Sequence, residues 1–236
     1  MIKFIKLLAM LLTFLVSSQL YSAELASSLR IGYSPEVGGS MHSGWQLENL
    51  GVEDGIYDIN RSAPGFELST VESPVGLNVA FDFKVIMDKI YLKAGAGYNR
   101  TIARGKGTTL DFSVSEEVNV EYKQWSFHFP LTFGATLLFW NEARISLGCG
   151  IAFAYGNYSN SFKSDTLDHS GSFSSYAFPL VAELSGEAFI SSNTSIICSF
   201  DYFYGKSKVV KDKSDYGRVD FSGMTFSIGF VRYFNR

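Results

Sequence analysis

Nine charged residues of this 236-residue chain share one setting. Arg30, Glu36, Asp82, Lys84, Lys93, Arg144, Glu183, Glu187 and Asp201 lie in runs where apolar and polar residues alternate at every second position. That period marks strands with two unlike faces. All nine fall opposite the Phe, Leu and Ile face, so they are expected to point into a shared interior. An ion taken out of water without a partner is strongly unfavourable. Four cations and five anions must therefore pair across that interior. A gate or proton path is one use for such a set. A network that plugs and stiffens the interior is the simpler use, and the one adopted.

A second constellation is nucleophilic. Ser126 and His128 stand two apart on one strand face, near enough to act as nucleophile and base. The remaining histidines, His42 and His169, each open an "HSG" tripeptide in a long connection. Ser126 and His128 belong to the interior face, away from any lipid substrate, and no enzyme motif surrounds them. No catalytic residue is assigned. No His or Cys pair has metal-ligand spacing on one element. The acidic clusters "VEDG" at 52–55 and "SEE" at 115–117 read as solvated charge. Neither metal nor cofactor is expected. Cys149 and Cys198 lie mid-strand on the apolar face, in strands two apart. Second neighbours in a sheet are roughly 10 Å apart, beyond disulfide reach. Both thiols are expected free and buried in whatever that face contacts.

The elements that would position these residues are eight strands, at about 28–37, 74–86, 89–103, 123–139, 143–157, 174–191, 194–206 and 219–234. Three connections are hairpin-sized: "MDK", "WNEA" and "SSN". The other four, 38–73, 104–122, 158–173 and 207–218, are long and rich in Gly, Ser and charge. Short and long alternate without exception. An up-and-down sheet closed on itself produces this parity, with every short turn at one end. The expected fold is all-β: an eight-stranded antiparallel up-and-down transmembrane β-barrel.

Which solvent the apolar face meets decides the class. The opposite face is thick with glycine and alanine, as in "KAGAG" and "GCGIAFA". Facing water, such residues would cover nothing; inside an eight-stranded barrel they leave room for the few side chains the lumen holds. Turned inward, the many phenylalanines would overfill it. The aromatic face is therefore expected in lipid, in preference to a soluble lipocalin-like barrel. Tyr33, Tyr98, Trp125, Tyr155, Tyr202 and Tyr204 would form a girdle near the long connections. Trp140, Tyr91 and Phe234 would form one near the short turns. The first 23 residues have two lysines, an apolar run from Leu7 to Val16 and a small-residue end, the plan of an export signal. Residues 24–236 would then be one barrel domain. Net charge is −3 and the composition 16% aromatic, so a nucleic-acid partner is not expected.

The terminal run "FSGMTFSIGFVRYF" and the "FPL" at 129–131 and 178–180 give the chain a resemblance to a known group. It resembles the small eight-stranded outer-membrane barrels, such as the OmpA membrane domain and the opacity-type proteins, over essentially all of its length past residue 23. The terminal run looks like the aromatic signal that the barrel-insertion machinery reads, departing from it in the two residues after Phe234. That resemblance implies the outer membrane of a diderm bacterium, with the lipid bilayer and the insertion machinery as partners. The expected role is structural, or surface interaction through the long connections with a ligand left unnamed. The rivals are a small passive pore and a lipid-modifying barrel enzyme. The first long connection holds Trp45, Ile56, Tyr57 and Phe66, and strands three and four are expected to continue beyond the membrane as a protruding sheet.

Overall fold

Alternation becomes geometry in the computed structural model, which describes residues 23–37, 66–71, 75–111, 114–140, 142–163, 165, 168–207, 210–212, 215–217, 219 and 221–234. Among these residues twelve strands follow in chain order: β1 (Glu24–Val37), β2 (Phe66–Val71), β3 (Val75–Met87), β4 (Ile90–Asp111), β5 (Val114–Phe139), β6 (Ala143–Lys163), β7 (Asp168–Ala177), β8 (Leu180–Ser191), β9 (Thr194–Tyr204), β10 (Val210–Asp212), β11 (Asp215–Gly217) and β12 (Gly223–Tyr233). The barrel runs β1–β3–β4–β5–β6–β8–β9–β12, each pair antiparallel. β12 pairs back to β1 from Ala26↔Tyr233 upward. The sheet has no open edge in its lower part, which is the only way a β-structure satisfies its backbone groups in lipid. The expected up-and-down closure is borne out.

The two faces separate as the period-two pattern requires. Phe133, Ile151 and Phe226 lie on the outside, about half exposed, whereas Glu183 is 2% exposed. Leu29, Ile31, Phe81, Leu131, Leu147 and Ile228 continue the outer apolar belt. Water gives such a belt no stabilisation, and hydrocarbon does. Tyr33, Tyr155, Tyr202 and Tyr204 stand exposed towards the long-connection end, with Trp140 and Phe234 at the other. Both cysteines are free and outward.

Four features differ from the sequence reading. Tyr91 is fully buried in the lumen rather than in a girdle. Its ring occupies the space that Gly134 and Gly148 leave open: a Cβ on Gly134 would sit 2.3 Å from the Tyr91 ring. Second, while β4 and β5 continue upward to Asp111↔Val114 as the protruding sheet that was expected, β6 and β7 also pair through much of 158–173, where a connection was expected. With β2 against β4 they form the upward continuation of the sheet. Third, the sixth barrel strand is divided at Phe178 and Pro179, between β7 and β8. The break leaves the ladder continuous, since Ala152 N–H donates to the Pro179 carbonyl at 2.9 Å. Fourth, a register shift between Thr136 and Leu138 inserts one extra residue in β5. Beyond it Phe139 pairs with inward Arg144 and lies on the lumen side, not on the lipid face.

Candidate functional site

The lumen is filled in layers, each from strands that the alternation had already placed. Nearest the short turns, Arg144 Nη2 meets Glu24 Oε2 at 3.0 Å. Its guanidinium lies 5.2 Å from the Phe139 ring centre and 5.6 Å from those of Phe189 and Tyr233. Lys84 Nζ is 3.1 Å from Glu187 Oε1 and 4.3 Å from the Tyr91 ring centre. Glu187 also accepts from the Tyr233 hydroxyl, and from Ser195 Oγ at 3.2 Å. A carboxylate with that many donors needs no water.

Above this lies the centre of the network. Arg30 brings Nε and Nη2 to one oxygen, Asp82 Oδ2, at 2.9 and 2.8 Å, and Nη1 to Asp201 Oδ2 at 2.7 Å. Hydrogen bonds between ionised partners are shorter and stronger than those between neutral ones. Ser28 donates to Asp82 at 3.1 Å. Lys93 pairs with Glu183 and lies 3.9 Å from Asp82. Arg30, Asp82, Lys84, Lys93, Arg144, Glu183, Glu187 and Asp201 are all buried. The ninth, Glu36, is on β1 opposite Met224, and its side chain lies outside the described residues. Glu24 belongs with the set although the sequence reading began its strand later; the even-numbered parity of β1, shared with Ala26, Ser28 and Arg30, was the signal available.

A polar layer follows. Asn78 donates to Asn99, and Asn99 Nδ2 donates to His128 Nε2 at 3.0 Å. Ser126 Oγ is 2.7 Å from the same nitrogen. The Ser–His contact anticipated from spacing is therefore made, but Nε2 is shared with Asn99 and Nδ1 has no hydrogen-bond partner. Both side chains are buried, and no carboxylate orients the ring as a catalytic base would require. Phe203 packs 4.9 Å from His128, centre to centre, and Phe221 at 6.2 Å. Tyr158, Val219 and Phe221 are buried at the upper end. Two backbone bonds, Ser207 N–H to Val219 at 2.8 Å and Phe221 N–H to Gly205 at 2.9 Å, fold the chain before β12 inward. This aromatic cap was missed because "DYFYG" is aromatic on both faces.

Between the central and polar layers remains a cavity of about 20 Å³, and beside Lys84 one of about 10 Å³. The larger has room for roughly one water. His42 and the "VEDG" cluster lie outside the described residues, and so does the His169 side chain, while "SEE" is part of β5. Among the described residues no group of three metal-ligating side chains comes together.

A closed ladder, an apolar outside and an ion-paired inside decide the fold. It is that of a small eight-stranded outer-membrane barrel. No protein-family model matches the chain, and no curated protein sequence matches it. Among solved structures, Ail, the attachment invasion locus protein of Yersinia pestis, is 14% identical over 89% of this chain and 99% of that one, with a TM-score of 0.35. Neisserial surface protein A is 10% identical over 90% and 96%, at 0.40. A major outer membrane protein from Thermus thermophilus is 11% identical over 90% and 100%, at 0.47. These are likenesses of plan alone.

Proposed function

We propose that the chain is an integral outer-membrane barrel whose lumen is plugged and whose role is structural, or surface interaction through the end that carries the long connections. The observation that supports this best is the pairing of opposites across one wall: half-exposed Phe133 outside, and the Arg30–Asp82–Asp201 cluster sealed inside. Residues 1–23 act as the export signal, and β12 serves as the strand read by the insertion machinery. A small pore is disfavoured by residual cavities of about 20 and 10 Å³.

Two measurements test the reading. Unheated detergent-solubilised protein should migrate differently from heated protein on a gel, as a folded barrel does. The same material in planar bilayers should give no steady conductance steps. Identical mobility with and without heating would reject the barrel; regular steps would reject the plug. The Ser126–His128 contact motivates one rival, a lipid-modifying enzyme. Under the structural reading, Ser126→Ala leaves the lipid A profile of producing cells unchanged.

A further inference from the structure

Resting on that membrane reading, we infer that the short-turn mouth of the barrel binds the headgroup of a zwitterionic phospholipid, one carrying a phosphate and an ammonium. A cavity of about 460 Å³ opens there, within the range of small-ligand sites, about 300–1,000 Å³. Arg144 and Glu24, paired at 3.0 Å, close its inner end, and Asp88 and Lys89 of the β3–β4 turn flank its outer side. Two cationic and two anionic side chains thus line one small space. The Arg144 side chain is 4% exposed, yet its Nε and Nη1 have no hydrogen-bond partner. Thr136 Oγ1, on the same wall, has none either. Buried donors left unmatched are unfavourable, and a phosphate oxyanion is the acceptor that a guanidinium fork suits best. Glu24 and Asp88 supply the complement for an ammonium.

The rim carries an independent observation. The extra residue in β5 exposes Leu137 and Leu138 side by side and turns Phe139 over the mouth. Bulges at barrel rims re-aim side chains in this way. With exposed Trp140 they make an apolar lip continuous with the lipid-facing belt. A lipid keeps its chains on that lip while its headgroup enters the mouth. Free phosphate gains nothing from the lip, and an anionic lipid brings no ammonium for Glu24 and Asp88.

The test titrates the purified chain, in non-ionic maltoside micelles, with dihexanoylphosphatidylethanolamine, followed by phosphorus NMR. Parallel titrations use dihexanoylphosphatidylglycerol and inorganic phosphate. Saturable binding is expected for the first, roughly tenfold weaker binding for the second, and none for the third. Lys89→Ala and Asp88→Asn should each weaken the first roughly threefold or more. Both positions are exposed turn residues, and Asn tolerates the positive φ of 56° at Asp88. Arg144→Met is the harsher variant, since it also breaks the pair with Glu24. Absence of saturable binding, equal affinity for all three ligands, or unchanged binding by both turn variants would overturn the site. Heat-dependent mobility of the same samples separates the failures. If the shift persists without binding, only the lipid site is rejected; if the shift is missing, the membrane reading falls with it.

Discussion

Arg30 holds two carboxylates at once, so its removal strands both. Arg30→Ala leaves Asp82 and Asp201 buried beside Lys93 alone, with Lys93 3.9 Å from Asp82 and already paired to Glu183. Breaking a buried pair by removing one partner destabilises by about 3–5 kcal/mol. Urea titration of the folded barrel should show a loss of that order. Combining it with Asp82→Asn and Asp201→Asn should recover much of the loss, because the stranded charges are then gone. An unchanged midpoint for Arg30→Ala would mean the network contributes nothing. Gly134 gives a second test. Its Cβ position lies 2.4 Å from the Leu147 carbonyl oxygen and as close to the Tyr91 hydroxyl. Gly134→Val should therefore abolish the heat-modifiable form, and a normal gel shift would contradict the packing described for Tyr91.

The strands above the membrane follow different rules from those within it. There Arg104 and Glu121 pair across β4 and β5 at 2.9 Å, and Lys123 joins them on the outward face. The Lys123 ammonium, hydrogen-bonded to Glu121, and then Arg104, hold that carboxyl below its usual 4.5. A depressed folded value means the contribution is present above the unfolded value and is lost as pH falls through the folded one. The protection of amides across 104–123, measured against intrinsic exchange at each pH, should fall below about pH 4.5, while that of Phe127–Phe133 holds; protection across 104–123 that does not change with pH would refute it. Sequence alone revealed the strands inside the barrel because lipid and lumen demand unlike residues at alternate positions, as in "FHFPLTFG". It also led to the upward continuation of strands three and four as a protruding sheet, but not to the β6–β7 pairing across 158–173, because "NSFKSDTLDHSG" keeps no alternation of apolar and polar residues. It hid the β5 bulge because "TLLFW" is apolar at every position after its threonine, so an inserted residue leaves no trace. The lumen charges were legible for the opposite reason: Asp82, Lys93 and Glu183 interrupt apolar runs at regular parity. Their partners were not, since pairing depends on which strands the closure brings together.

Taken whole, the molecule joins its first and last barrel strands into one seam, where Ala26 faces Tyr233 and Tyr33 faces Phe226. Contacts so distant along the chain form late, since loop-closure entropy must be overcome first. Until then both partner strands present raw amides and carbonyls, and a nascent barrel in that state is a template for adding a stranger's strand. Arg30 reaches from one side of the seam to Asp201 beyond the other, so the last zipping step also snaps shut the central ion cluster. Assembly should thus be all-or-nothing, with a long-lived horseshoe as its one vulnerable stage and a chaperone's grip most useful there.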